Sequence, residues 1–100
     1  MEDIKVYEQD GKVCIKLHEF FTFASHTSFR NTYKDNKPRL QYTLNFSQTK
    51  YMDSSGLGML LLLREHNGLG NIEDITLTGY TDKIETILRV ANFQRLFHMT

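Results

Sequence analysis

Tyr51-Met52-Asp53-Ser54-Ser55-Gly56-Leu57-Gly58-Met59-Leu60-Leu61-Leu62-Leu63-Arg64-Glu65 sets small polar residues and glycines directly ahead of a run of leucines. A strand or loop must end here and a buried helix begin. Asp53 or Ser54 is the natural N-cap, because either side chain can accept a hydrogen bond from the unpaired amides of the first turn. Ser54 therefore stands at a positive helix end.

Projected at about 100° per residue, the helix separates into two arcs. Met59, Leu62, Leu63 and His66 share one with Ser55 and read as core. Ser54, Leu57, Gly58, Leu61, Arg64 and Glu65 share the other. A solvent face has no need of leucines there, nor of a mid-helix glycine that costs roughly 1 kcal/mol against alanine. That arc reads as a docking surface, although a helix buried all round, with the serines only capping it, gives the same pattern.

Met52-Asp53-Ser54-Ser55-Gly56-Leu57-Gly58 resembles the Asp-Ser-Ser-Gly-x-Gly signature of the STAS domain in anti-sigma factor antagonists, and agrees with it at every position. The resemblance implies that Ser54, the first serine after the aspartate, is phosphorylated by a partner anti-sigma kinase. Taken with the outward arc of the helix, it makes Asp53, Ser54, Gly56, Leu57, Gly58, Leu61 and Arg64 the expected partner-binding surface.

Outward from this stretch, the chain reads in order. Ile4 to Glu8 and Val13 to Leu17 alternate apolar and polar residues around Asp10-Gly11, a strong hairpin signal because both turn residues tolerate positive φ. Ser25 is placed to cap a helix that stacks Phe29 on Tyr33, and the aromatic cluster Phe20, Phe21 and Phe23 ahead of it reads as packing. After the Asp35-Asn36-Lys37-Pro38 turn, Leu40 to Phe46 alternates strictly and feeds the central helix.

Asn67-Gly68-Leu69-Gly70-Asn71 ends that helix, and Ile72 to Leu77 supplies a strand closed by Gly79. Thr81 caps a last helix with Ile84, Ile87, Leu88 and Ala91 at helical spacing, and Phe93, Leu96 and Phe97 cover the core. The order strand, strand, helix, strand, helix, strand, helix predicts an α/β fold. Its sheet is mixed, of about four strands, with helices mainly on one face and the other face more open. The STAS resemblance extends over nearly the whole chain, with Phe21-Thr22-Phe23-Ala24-Ser25-His26 entering the first helix. Asn45 departs from it, standing where the family strand often carries an aspartate.

With 100 residues, 40% of them hydrophobic, residues 1–100 make one domain. The 12 basic and 12 acidic residues cancel, leaving no basic field for nucleic acid and no polybasic segment for a membrane. Cys14, the single cysteine, reads as a small buried hydrophobe. The N-terminus, Met-Glu-Asp-Ile-Lys, lacks the basic and apolar regions of a signal peptide, and the apolar run Met59 to Leu63 is far short of the ~20 residues that span a bilayer. A cytoplasmic protein is expected.

Catalytic readings find little support. Asp53, Ser54 and a histidine could form a hydrolase triad, but no histidine is tied to them and no Gly-x-Ser-x-Gly turn exposes a nucleophile. His18, His26, His66 and His98 lack partners at metal-ligand spacing, and His66 reads as a satisfied helix-end histidine. Gly56-Leu57-Gly58 is only a fragment of a dinucleotide loop, and no nucleotide-phosphate loop is present. Lys50, Arg64 and Glu65 are ordinary solvated charges unless their place beside Ser54 gives them a part in docking.

No enzyme activity, cofactor, metal or small-molecule substrate is expected. Phosphoryl transfer would need ATP, metal and base from a partner. The sequence thus predicts a phosphorylation-controlled binding module whose partners are an anti-sigma factor or serine kinase and a serine phosphatase. A constitutive scaffold using the same face without phosphorylation, and a small hydrolase with Ser54 as nucleophile, are the competing readings.

Overall fold

The computed structural model describes residues 4–100; Met1, Glu2 and Asp3, on which the N-terminal reading partly rests, lie outside the described residues. The chain runs through β1 (Lys5–Gln9), β2 (Lys12–Lys16), β3 (Phe20–Phe21), α1 (His26–Asn31), β4 (Tyr42–Asn45), β5 (Tyr51–Met52), α2 (Ser54–His66), β6 (Ile75–Thr78), α3 (Asp82–Val90) and β7 (His98–Met99). Asp10 and Gly11 both take left-handed φ, 54° and 77°, so a two-residue primed turn joins β1 to β2 in register from Gln9↔Lys12 to Lys5↔Lys16. The hairpin is as the sequence predicts.

From β2 the sheet continues in parallel through β4, β6 and β7, giving the order β1-β2-β4-β6-β7. It is mixed, as expected, but five strands wide. The fifth strand is only two residues long, too short to alternate visibly. The sixth and seventh pairing partners, β3 and β5, form a separate parallel ribbon in the register Phe20↔Tyr51 and Phe21↔Met52.

Alternation decides which side is core. Ile15 in β2 and Leu17 just after it, Leu44 in β4 and Phe46 just after it, and Leu77 in β6 are fully buried, packed with Phe29 of α1, Leu60 and Leu63 of α2, and Ile84 and Leu88 of α3. Cys14, Thr43, Asn45, Thr76 and Thr78 alternate with these on the sheet's other face and are half-buried. Cys14 is thus not a core residue. Its neighbours Val13 and Ile15 take the inward positions, and period two then turns the thiol to the open face.

Other boundaries shift for local reasons. The strand expected from Ile72 starts at Ile75, because Asp74 Oδ2 accepts from the Asn71 amide (3.1 Å) and closes a 3-10 turn over Ile72–Asp74. Ser25 does not cap α1: its hydroxyl faces back, donating to the Phe20 carbonyl (3.0 Å) and accepting from the Thr22 amide (3.1 Å). That leaves α1 short, although Phe29 and Tyr33 still meet edge to face at 5.6 Å. Thr81 caps α3 as predicted, accepting from the Ile84 amide (3.2 Å).

Helix α2 ends as the glycines suggest, with the Gly68 amide on the Glu65 carbonyl and the Leu69 amide on the Arg64 carbonyl, both at 3.1 Å. This is a Schellman closure, with Gly68 at φ 90°. Buried Asn67 then exchanges two 2.9 Å hydrogen bonds with the backbone of Leu40, pinning the helix end to the segment entering β4. Leu40 spends its polar groups there, and the strand begins later, at Tyr42. His66 is satisfied as expected: its Nε2 lies 2.9 Å from the Asn36 carbonyl and its ring packs on Tyr33.

Candidate functional site

Asp53 has extended backbone (φ −103°, ψ −176°) and its Oδ1 accepts from the Gly56 amide at 3.0 Å. It is the N-cap, and Ser54 is the first helical residue. The amides of Ser54 and Ser55 fall among those that a helix leaves without intrahelical acceptors, so the dipole end is open around the Ser54 hydroxyl. Ser54 is exposed and Ser55 half-buried.

Gly56 is buried. A Cβ there would meet Met52 Cγ at 2.5 Å and the Phe21 carbonyl oxygen at 2.9 Å, so the first turn of α2 rests directly on the β3–β5 ribbon. Gly56 therefore cannot touch a docked protein, and its place in the signature is one of packing. Gly58, with nothing within 4 Å of a Cβ position, lies open.

The ribbon sorts its four side chains by face. Phe21 and Met52 point inward, 0% and 4% exposed, while Phe20 and Tyr51 point outward at 56% and 47%, their rings 6.4 Å apart. Phe23, 74% exposed, leans on the His26 ring. Reading the aromatic cluster as packing holds for Phe21 only. Phe20 and Tyr51 form an outward aromatic pair on the ribbon whose β5 leads into α2, which the sequence reasoning missed, since two-residue strands carry too little alternation to reveal a face.

Farther along α2 the buried stripe is Gly56, Met59, Leu60 and Leu63. Leu60, assigned to neither arc, is fully buried, and Leu62, expected in the core, is 47% exposed. The helix is rolled by less than one residue step from the projection. Leu61 is exposed as expected; Arg64 is half-buried, and half-buried Leu57 packs against the core edge instead of standing free of it. Ser54, Gly58, Leu61, Leu62 and Glu65 make the solvent face.

No protein-family model matches the chain. A STAS-domain containing protein of Pseudomonas aeruginosa (strain UCBPP-PA14) is 37% identical over 94 residues, covering 91% of each chain. The chain belongs to the STAS-domain family.

Solved structures agree on the fold of this STAS domain. The anti-sigma factor antagonist SpoIIAA in its unphosphorylated form superposes with a TM-score of 0.67 at 17% identity, over 97% of this chain and 86% of that one. The phosphorylated form of SpoIIAA, a Bacillus cell fate determinant, gives 0.64 at 13% identity, over 97% and 90%. An uncharacterised Shewanella loihica protein with a SpoIIAA-like fold gives 0.60 at 12%, over 97% and 82%.

Within the STAS domain, Asn45 has a local task. Its Oδ1 accepts from the Ser47 amide at 2.8 Å, fixing the turn that leaves β4. A serine–histidine contact away from Ser54, His18 Nε2 to Ser25 Oγ at 2.7 Å, is structural: buried Ser25 already donates to the Phe20 carbonyl, so the histidine is the donor. Among the described residues no group of His, Cys, Asp and Glu could hold a metal ion, and no helix is long and apolar enough to cross a membrane.

Proposed function

We propose that this STAS domain is a phosphorylation-controlled binding module. Unmodified, it lays the start of α2 against an anti-sigma-type serine kinase or a related switch protein and relieves that partner's inhibition of a third component. Phosphorylation of Ser54 ends the contact, and a serine phosphatase restores it. The module works in the cytoplasm, with no enzyme activity, cofactor, nucleic acid or membrane of its own.

The observation that carries this reading is the environment of Ser54: an exposed hydroxyl on the first residue of a capped helix. Apolar side chains stand on the elements to either side of it in the chain: the exposed pair Phe20 and Tyr51 on the ribbon that leads into α2, and Leu57 and Leu61 one and two turns along the helix on the Ser54 side. Partner contacts fall to Asp53, Ser54, Leu57, Gly58, Leu61 and Arg64, joined by Phe20 and Tyr51. Hot spots are enriched in aromatic side chains, so this pair supplies the anchors that the leucines alone would lack.

A pull-down comparing Ser54→Ala with Ser54→Asp, read by mass spectrometry, tests the proposal. A kinase-fold protein retained by Ser54→Ala and lost with Ser54→Asp is the expected result. Phosphopeptide mapping with that kinase and ATP should place the label on Ser54. Equal retention by both variants would favour a constitutive scaffold.

A further inference from the structure

Helices α1 and α2 leave a cleft of about 370 Å³ between them, and its two walls differ in kind. His26, Arg30 and Lys34 follow one another at four-residue spacing along the α1 wall. The Lys34 amide donates to the Arg30 carbonyl at 3.0 Å, which carries the row one turn past the end of α1. The α2 wall is exposed Leu62 with Glu65. Tyr33 and His66, edge to face at 5.1 Å, close the floor.

Neither cation of the first wall is spent. The ion pairs among the described residues are Lys50 with Glu19 and Arg89 with Glu85, so Arg30 and Lys34 hold no carboxylate. Glu65 lines the opposite wall and pairs with neither. Residues 26–39 carry Arg30, Lys34, Lys37 and Arg39 against Asp35 alone, in a chain whose 12 basic and 12 acidic residues cancel. The cationic excess is therefore local to the α1 side of the molecule.

Whatever fills such a cleft has to be anionic against α1 and apolar against Leu62. A free phosphate would satisfy Arg30 and Lys34 but leave Leu62 bare. An extended peptide would find no backbone partner, because both walls are helices whose amides and carbonyls are bonded within themselves. The occupant must carry its own backbone hydrogen bonds. Arg30 and Lys34 stand about 6 Å apart along the helix axis, which is also the spacing of acids at i and i+4 on another helix.

We infer that the α1–α2 cleft receives an amphipathic helix of a partner protein, with acids at i and i+4 against Arg30 and Lys34 and an apolar side chain on Leu62. Such a helix lies lengthwise in the valley between the other two. Contact over about two turns is weak on its own, and its charged part is screened by salt. The inference goes beyond the Ser54 reading and does not rest on it, because neither the cleft nor its test involves the start of α2, a kinase or a phosphate on Ser54.

The probe is a synthetic amphipathic helix with leucine on one face and glutamate on the other. Titrated to about 1 mM into the isotope-labelled full chain, it should shift the amide NMR signals of residues 26–34 and 62–66 most, with a Kd on the order of 100 μM. The same peptide with lysine for glutamate should shift none of them. Raising salt from about 50 mM to about 500 mM should weaken binding roughly tenfold. Arg30→Glu together with Lys34→Glu should weaken it by about tenfold or more, and Leu62→Ala by about fivefold. These side chains are exposed, so each variant should keep the spectrum of the folded chain. Should the double reversal disturb the fold, Arg30→Gln with Lys34→Gln takes its place. Equal binding of the two peptides, shifts centred on Phe20, Tyr51 and Ser54, or an affinity indifferent to the charge variants overturns the inference. So does inorganic phosphate that reproduces the shifts alone, or binding to phosphatidylglycerol vesicles without binding to the peptide.

Discussion

A methyl group added at Gly56 would strike Met52 and the Phe21 carbonyl, whereas at Gly58 it would enter open space. Two glycines of one short signature therefore act in opposite senses on stability. Gly56→Ala must push the ribbon away from α2 and should cost about 1–3 kcal/mol. Gly58→Ala relieves a glycine in a helix interior and should add roughly 0.5–1 kcal/mol. Urea denaturation of the two variants checks both signs. On the proposed docking face, the Gly58 variant should also bind the partner less well while folding more stably, a combination that a purely structural glycine would not give. The two serines divide similarly, since Ser54 is exposed and Ser55 half-buried. Phosphopeptide mapping should find the cognate kinase's label on Ser54, and label on Ser55 alone would sink the proposed site.

Helix α2 shows what a sequence pattern can and cannot fix in an element. Its start and its glycine-marked end were legible, and its cap was narrowed to Asp53 or Ser54, because Asp53, Gly68 and their partners lie within a few residues of one another. Its rotation was not, because Leu60, Leu61, Leu62 and Leu63 follow one another round the whole circumference, and periodicity alone cannot choose a face. The choice is made by the approach of the ribbon to Gly56 and of Asn67 to Leu40, contacts that join distant parts of the chain. The same limit hid β7 and the outward aromatics of the β3–β5 ribbon, while the Asp10-Gly11 hairpin and the Thr81 cap, both local, were read correctly. The roll of α2 sets the expected mutational profile. Leu60→Ala and Leu63→Ala should each cost about 2–5 kcal/mol of folding stability. Leu62→Ala should stay within about 0.5 kcal/mol. Leu61→Ala should leave the melting temperature nearly unchanged yet weaken partner binding by on the order of 1–2 kcal/mol. A Leu62→Ala protein as unstable as Leu60→Ala would contradict the observed roll.

At the scale of the molecule, charge is kept outside one apolar core, and this sets how the fold responds to pH and to phosphate. Burial raises the pKa of Tyr33, outweighing the opposing effect of Arg30, and raises that of Tyr42 despite its hydrogen bond from Asn36. A raised pKa means that the folded state holds the neutral phenol more tightly than the unfolded chain does. The associated stability is complete below about pH 10 and is lost as pH rises through and beyond that value. Urea midpoints should accordingly fall above about pH 10, and less steeply for Tyr42→Phe. A phosphoryl group on Ser54 adds roughly −1.5 to −2 charges outside that core, at a helix end whose dipole and free amides favour it by about 0.3–1 kcal/mol. The fold has no reason to loosen. A closed interface over the same point must strip the phosphate of water and set it beside Asp53, and a penalty of about 3 kcal/mol already weakens binding ~100-fold. Calorimetry on the phosphorylated and unmodified chain should therefore give an equal or higher melting temperature together with an affinity for the partner reduced by tenfold or more. Equal affinity in the two forms would mean that phosphate at Ser54 does not control the contact. A lowered melting temperature would mean that the helix end is less open to an anion than its geometry implies.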